Sequence, residues 1–187
     1  LIFIYDAPDE AQSEGGSSGT LDAHEYCMRL GQKLLTFLSA PTGEVVVYKI
    51  DMRLLPSGRA GPLVCSVESF RHYHQTSSEL WERQTLIKAR FVAGDRNLGA
   101  DAERVAEDFA YGKGLTQEGV GEIHHLRMRM ERELAQEDST QFNLKKGKGG
   151  LVDIEFLTQM LQLSHGHRLP GLRQHGTMEA LSALHHH

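Results

Sequence analysis

Glu44-Val45-Val46-Val47-Tyr48-Lys49-Ile50-Asp51-Met52-Arg53 is the stretch on which the fold turns. Side chains alternate faces along a strand. Val46, Tyr48, Ile50 and Met52 therefore form one apolar face, and Val45, Val47, Lys49, Asp51 and Arg53 share the other. Two readings fit. The plainer is a half-exposed strand with an ion-paired polar face. The sharper is a cleft wall that carries a carboxylate between two cations, which suits a divalent metal ion and the phosphates it neutralises. Leu55-Pro56-Ser57-Gly58-Arg59-Ala60-Gly61-Pro62 follows. Most Pro/Gly loops are only turns. Here Ser57 and Gly58 allow close backbone approach to an anion, Arg59 adds charge, and the position directly after Asp51 gives the loop weight.

Outward from this strand, residues 1–5 read Leu-Ile-Phe-Ile-Tyr, a continuous apolar run of the kind found in a strand buried on both faces. A chain that opens inside such a strand leads us to expect sequence upstream of it. Residues 21–38 have helical spacing through Cys27, Leu30, Leu34, Phe37 and Leu38. A short strand is expected at 63–66, then helices at 67–74, 78–93, 101–110, 116–136, 150–164 and 177–184. The expected organisation is an α/β domain over 1–95 and a helical domain over 96–184, an α+β class. His185, His186 and His187 read as an affinity-tag remnant.

Hydrophobic residues make up 40% of the 187 and charged residues 24%, which is the balance of a globular chain. A net charge of −5 argues against nucleic acid as a partner. No apolar run reaches bilayer length and no signal peptide opens the chain, so the expected setting is the cytoplasm, without membrane contact. Cys27 and Cys65 stand alone, outside any metal or disulfide pattern, and read as packing residues.

The second informative stretch is Asn143-Leu144-Lys145-Lys146-Gly147-Lys148-Gly149-Gly150-Leu151-Val152-Asp153-Ile154-Glu155-Phe156. Its lysines and glycines run into a helix N-terminus, where backbone N–H groups and the dipole favour anions. Lys146 and Lys148 are the candidates for phosphate, against the plainer reading of a solvated loop. On the helix, Glu155 falls on one stripe with Thr158, Gln159 and Gln162, compatible with solvated surface. Asp153 falls opposite, among Phe156, Leu157 and Met160, where a carboxylate needs a reason: either the helix dipole or a nearby nucleotide. Further upstream, Glu82 lies on a small apolar line with Leu86, Ala89 and Ala93, which reads either as a structural ion pair with Arg83 or Arg90 or as a site carboxylate. The helix at 116–136 has an apolar stripe through Val120, Ile123 and Met130, and its charges, Arg127 among them, read as a solvated face. The paired histidines lack the i, i+4 spacing of a zinc site.

With these residues in place, the sequence resembles the bifunctional glutamine synthetase adenylyltransferase/adenylyl-removing enzyme family. Tyr48 through Leu63 is similar to the family's DMRLRPSG-x-AG signature, Trp81-Glu82 through Gly94-Asp95 to its WE…ARxxxGD helix, and Gly149 through Phe156 to its GGxxDIEF segment. One departure is Leu55, where the family usually has arginine. The resemblance implies a polymerase-β-like nucleotidyltransferase fold followed by a helical domain. It implies magnesium held by three aspartates, of which Asp51 matches the third and the other two fall before Leu1. It implies transfer of AMP from ATP to a tyrosine of glutamine synthetase, or its phosphorolytic removal, with the PII signal protein as a regulatory partner. The wording of the motifs is closer to the transferring half. An inactive scaffold piece is the remaining alternative. On this resemblance Asp51, Asp153 and Glu155 are the catalytic candidates, and Lys49, Arg53, Ser57, Gly58, Arg59, Lys146 and Lys148 the nucleotide-binding ones.

Overall fold

A computed structural model describes residues 1–16, 19–42, 45–46, 50–51, 61–138 and 140–186, with 41, 42, 45 and 46 described through the main chain. Among these residues are two two-stranded sheets and seven α-helices, an α+β composition. The residues fall into two compact units: Leu1–Ser78 with Ala93–Ala102, and Glu79–Val92 with Glu103–His187.

In the first unit, β1 (Phe3–Tyr5) lies parallel to β4 (Val64–Ser66), with Phe3 opposite Val64 and Tyr5 opposite Ser66. Parallel neighbours need a crossover, and α1 (Ala23–Ser39) lies on it. Asp22 caps α1, its carboxylate accepting from the Glu25 N–H at 2.7 Å. The expected stripe is not what packs. Leu30 and Leu34 are 47% and 41% exposed and Phe37 is 79% exposed. Gly31 is the buried residue of this helix, and a Cβ placed there would come within 2.9 Å of Val64 Cγ1. The helix thus meets β4 through its smallest side chain. β2 (Pro41–Thr42) and β3 (Val45–Val46) form an antiparallel pair. Of the strand expected over 44–53, β3 is the described part; Ile50 and Asp51 lie outside any strand, and the remainder falls outside the described residues. β1 is half-buried rather than buried on both faces.

β4 runs directly into α2 (Val67–Thr76), where Ser66 is both the last strand residue and the cap, its Oγ accepting from Ser69 N–H at 3.1 Å. Phe70 and His74 from α2 are buried, as are Val64 and Cys65 from β4. The His74 ring meets Phe70 edge-on at 4.5 Å and lies 5.2 Å from Tyr73. Burial drives its pKa down to about 4.

The second unit contains α3 (Leu80–Leu86), the end of α4 (Arg96–Tyr111), α5 (Gln117–Leu134), α6 (Leu151–His165), a 3₁₀ turn (Pro170–Leu172) and α7 (Thr177–His185). Ile87, Ala110, Tyr111, Ile123 and Leu163 form its core, with Leu80, Leu115, Phe156 and Met160 packed around them. This division differs from one at residue 95 because Arg83 and Ile87 tie 79–92 to the later helices. Arg83 is 4% exposed. Its Nε donates to the carbonyls of Phe109 (3.1 Å) and Ala110 (2.9 Å), and its Nη2 to that of Lys113. It thereby satisfies the orphan carbonyls at the end of α4.

The helix expected over 78–93 stops at Leu86, after which Lys88 and Ala89 N–H groups reach back only three residues. Glu82 is buried for a structural reason: its carboxylate accepts from the Glu79 N–H at 2.8 Å and closes the start of α3.

Candidate functional site

In the first unit, the Leu1 amino group donates to the main-chain carbonyl of Asp51 at 2.8 Å. Residue 51 therefore sits beside the start of the opening strand, and it is exposed. Lys49, Arg53, Ser57, Gly58 and Arg59 lie outside the described residues. No group of three or more His, Cys, Asp or Glu side chains able to hold a metal occurs among the described residues.

In the second unit, the loop over 143–150 is braced from four directions. Asn143 holds its start: its Oδ1 accepts from Lys145 N–H (3.2 Å) and Lys146 N–H (2.9 Å), and its Nδ2 donates to the Ala135 carbonyl (3.0 Å). Glu137 accepts from the Asn143 N–H at 2.9 Å. Gly149 turns the chain with φ +74°, a left-handed conformation that favours glycine. The first-turn N–H groups of α6 are then taken up by the loop itself. Leu151 donates to the Leu144 carbonyl (3.1 Å) and Val152 to that of Lys145 (3.0 Å). This corrects the anion-binding reading of the helix start. Those backbone donors have partners, and the cationic chemistry left in the loop is that of the lysine ammonium groups. Lys145, Lys146 and Lys148 form no ion pair with another described residue.

Asp153 is where the loop is fastened. Its Oδ1 accepts from Arg127 Nε at 2.5 Å, and its Oδ2 from the Gly149 N–H at 2.6 Å. Arg127 comes from α5 and is 5% exposed. Its Nη2 donates to the carbonyls of Lys146 (3.1 Å) and Gly147 (2.9 Å), and Glu131 lies 3.4 Å away on the same helix. One guanidinium thus grips the loop at two carbonyls, while Asp153, held by the same guanidinium, grips it at a third point. Lys148, exposed, lines a cleft of about 240 Å³ together with Glu137, Phe142, Asn143, Leu144, Gly149 and Gly150.

Glu155 is occupied differently. Its Oε1 accepts from Lys88 Nζ at 2.8 Å, both side chains being about 40% exposed. The polar stripe of α6 faces inward. Thr158 is 1% and Gln162 2% exposed, whereas Leu151 is 62% and Leu157 54% exposed. The inversion is supported by partners elsewhere. Gln84 donates to Gln159 at 2.8 Å, and Gln162 donates to the Leu172 and Gln174 carbonyls at 2.7 and 2.8 Å. Asp153 and Glu155 therefore carry ordered internal contacts, and they lie in the second unit, whereas Asp51 lies in the first.

Sequence reading missed Arg127. The signal was present: 120, 123, 127 and 130 follow 3–4–3 spacing, so the arginine sits on the apolar stripe of α5 rather than on its solvated face.

The family model for glutamate-ammonia ligase adenylyltransferase matches residues 1–105, more than half of the chain, and includes Asp51. The chain belongs to this family. A second model, GlnD PII-uridylyltransferase, matches residues 121–187, the part that contains Arg127, the lysine loop and Asp153. Curated relatives agree with the first assignment. A bifunctional glutamine synthetase adenylyltransferase/adenylyl-removing enzyme of Mannheimia succiniciproducens is 36% identical over 92% of this chain and 17% of its own length. Proteins of the same name from Mannheimia haemolytica and Pseudomonas aeruginosa are 34% and 35% identical over 91% and 98% of this chain, each match covering 18% of the relative. The chain thus spans less than a fifth of the length of these relatives. No helix among the described residues is long and apolar enough to cross a membrane.

Proposed function

We propose that this chain forms part of an enzyme that transfers the adenylyl group of ATP to a tyrosine of glutamine synthetase, on a polymerase-β-like nucleotidyltransferase fold. The observation that carries the reading is the family match over the segment containing Asp51, together with the exposure of Asp51 beside the opening strand. An exposed hard-oxygen ligand fits magnesium, which takes one or two carboxylates and completes its shell with water and substrate phosphates. Asp51 would hold the ion, which when bound neutralises phosphate charge and favours in-line displacement at the α-phosphate. In this reading Lys49, Arg53 and Arg59 balance phosphate charge, and Ser57 and Gly58 let the backbone approach.

Within the second unit, Lys146 and Lys148 are the proposed phosphate ligands. The segment that carries them matches a family whose name specifies uridylyl rather than adenylyl transfer. What the two chemistries share is the phosphate, not the base. Asp153 and Glu155 serve by holding structure in this reading, since their carboxylates are engaged within the unit.

The test is AMP incorporation into glutamine synthetase by the complete polypeptide carrying this chain, with magnesium and ATP. Asp51→Asn should lower kcat at least ~100-fold, the scale of a lost charge-stabilising group, with little change in melting temperature. Phosphate-dependent release of the adenylyl group as ADP from the modified enzyme, without incorporation, would assign the chain to the removing half instead. Full activity of Asp51→Asn would refute the role of that residue.

A further inference from the structure

Arg127 has no place in the chemistry above, yet it holds two carbonyls of the lysine loop and the carboxylate of Asp153. We infer that it is a positioning residue for phosphate binding: through Asp153 and the carbonyls of Lys146 and Gly147, it fixes the backbone that carries Lys146 and Lys148. The inference rests on the phosphate role of those two lysines.

Three observations carry it. First, the backbone donors at the start of α6 are already satisfied by Leu144 and Lys145 carbonyls, so the anion-attracting chemistry of the loop lies in its ammonium groups. Their placement then depends on the path of the loop backbone. Second, that path is set from beneath by a buried guanidinium. Arg127 is 5% exposed and donates Nε to Asp153 at 2.5 Å and Nη2 to Lys146 and Gly147 at 3.1 and 2.9 Å. The two carbonyls it grips belong to one of the lysines and to the residue just before the other. Third, the anchor is shared. Asp153 accepts from the Gly149 N–H at 2.6 Å while held by Arg127, so the residues on both sides of Lys148 are fastened to the same pair. A planar guanidinium can serve a carboxylate and two carbonyls at once; an ammonium group, a point charge on a flexible stem, cannot hold the same geometry.

Arg127→Lys therefore keeps the charge and loosens the loop. The experiment is a double-mutant cycle on the full chain, reading the Kd for ATP in the presence of magnesium and the melting temperature. In wild type, Arg127→Lys should weaken ATP about tenfold, within the range of coupling found between contacting residues. Lys146→Ala/Lys148→Ala should weaken it at least as much. Adding Arg127→Lys to the lysine double variant should then change Kd less than about twofold, because the residue acts through the lysines. A general structural defect would instead add its full effect in that background, and this result would overturn the inference. So would an Arg127→Lys protein that binds ATP like wild type while the lysine variant does not. If the lysine variant also binds like wild type, the loop is no phosphate site, and the inference falls with that part of the functional reading. If wild type itself does not bind ATP, the nucleotide reading as a whole fails. Should Arg127→Lys not fold, Asp153→Asn, which preserves shape and removes the charged acceptor, enters the same cycle with the same expected outcomes.

Discussion

His74 gives the first unit a built-in sensitivity to acid. The ring is 4% exposed and packed by Phe70 and Tyr73, and its burial drives the pKa to about 4, against an ordinary value of 6.5. The folded state therefore favours the neutral ring. Above pH 6.5 the ring is neutral in both states and its contribution is complete. Below that, the unfolded chain takes up a proton that the folded chain refuses until about pH 4. Stability must fall as pH falls across this window. Each unit of separation is worth about 1.4 kcal/mol, so the loss at pH 4.5 comes to about 2.5 kcal/mol. Carboxylates titrate in the same range, so the measurement is a difference. Urea unfolding of wild type and His74→Gln is followed at several values between pH 7.5 and 4.5, with hydrogen exchange at α2 amides as the local readout. The wild type should lose about 2.5 kcal/mol relative to the variant over that range. A difference that stays flat to within about 0.5 kcal/mol, the error usual for such comparisons, would refute the argument that burial keeps this ring neutral.

Gly31→Val should destabilise the first unit by about 1–3 kcal/mol, the usual cost of overpacking, because a Cβ there meets Val64 Cγ1 at 2.9 Å; thermal unfolding checks it. Gly149→Ala should cost about 1–2 kcal/mol through its left-handed backbone alone, since nothing lies within 4 Å of the added Cβ, and loop amides should exchange faster. Arg127→Met should cost about 3 kcal/mol, the lower end for breaking a buried pair because Asp153 is 35% exposed; denaturant midpoints that match wild type would show the latch to be energetically idle.

Legibility in the sequence followed the range of the interactions. Local signals read well: the 63–66 strand is β4, and the helices at 67–74, 116–136 and 150–164 are α2, α5 and α6 to within a few residues. What could not be read depended on partners far along the chain. The helix expected to 93 ends at Leu86, while the neighbouring Ile87 is drawn into a core with Tyr111 and Leu163. The faces of α6 are inverted because Gln84, Lys88 and the Leu172 carbonyl supply polar partners that no window of sequence reveals. At the candidate site, the special character of Asp153 was visible as a carboxylate among apolar neighbours. Its partner is harder to read, because Arg127 stands among many charges on α5 and only its place on the apolar stripe sets it apart.

The parallel pairing of β1 with β4 has a consequence for biosynthesis. Phe3 and Cys65, in contact across the pair, are 62 positions apart in the chain. At ordinary elongation rates, roughly 3–12 seconds pass between the emergence of one strand and the other. Through that interval the Phe-Ile-Tyr strand lacks its β4 partner, although α1 can already form from local contacts. A ribosome pause between these two strands would prolong that exposure, whereas one that falls after β4 has emerged would not.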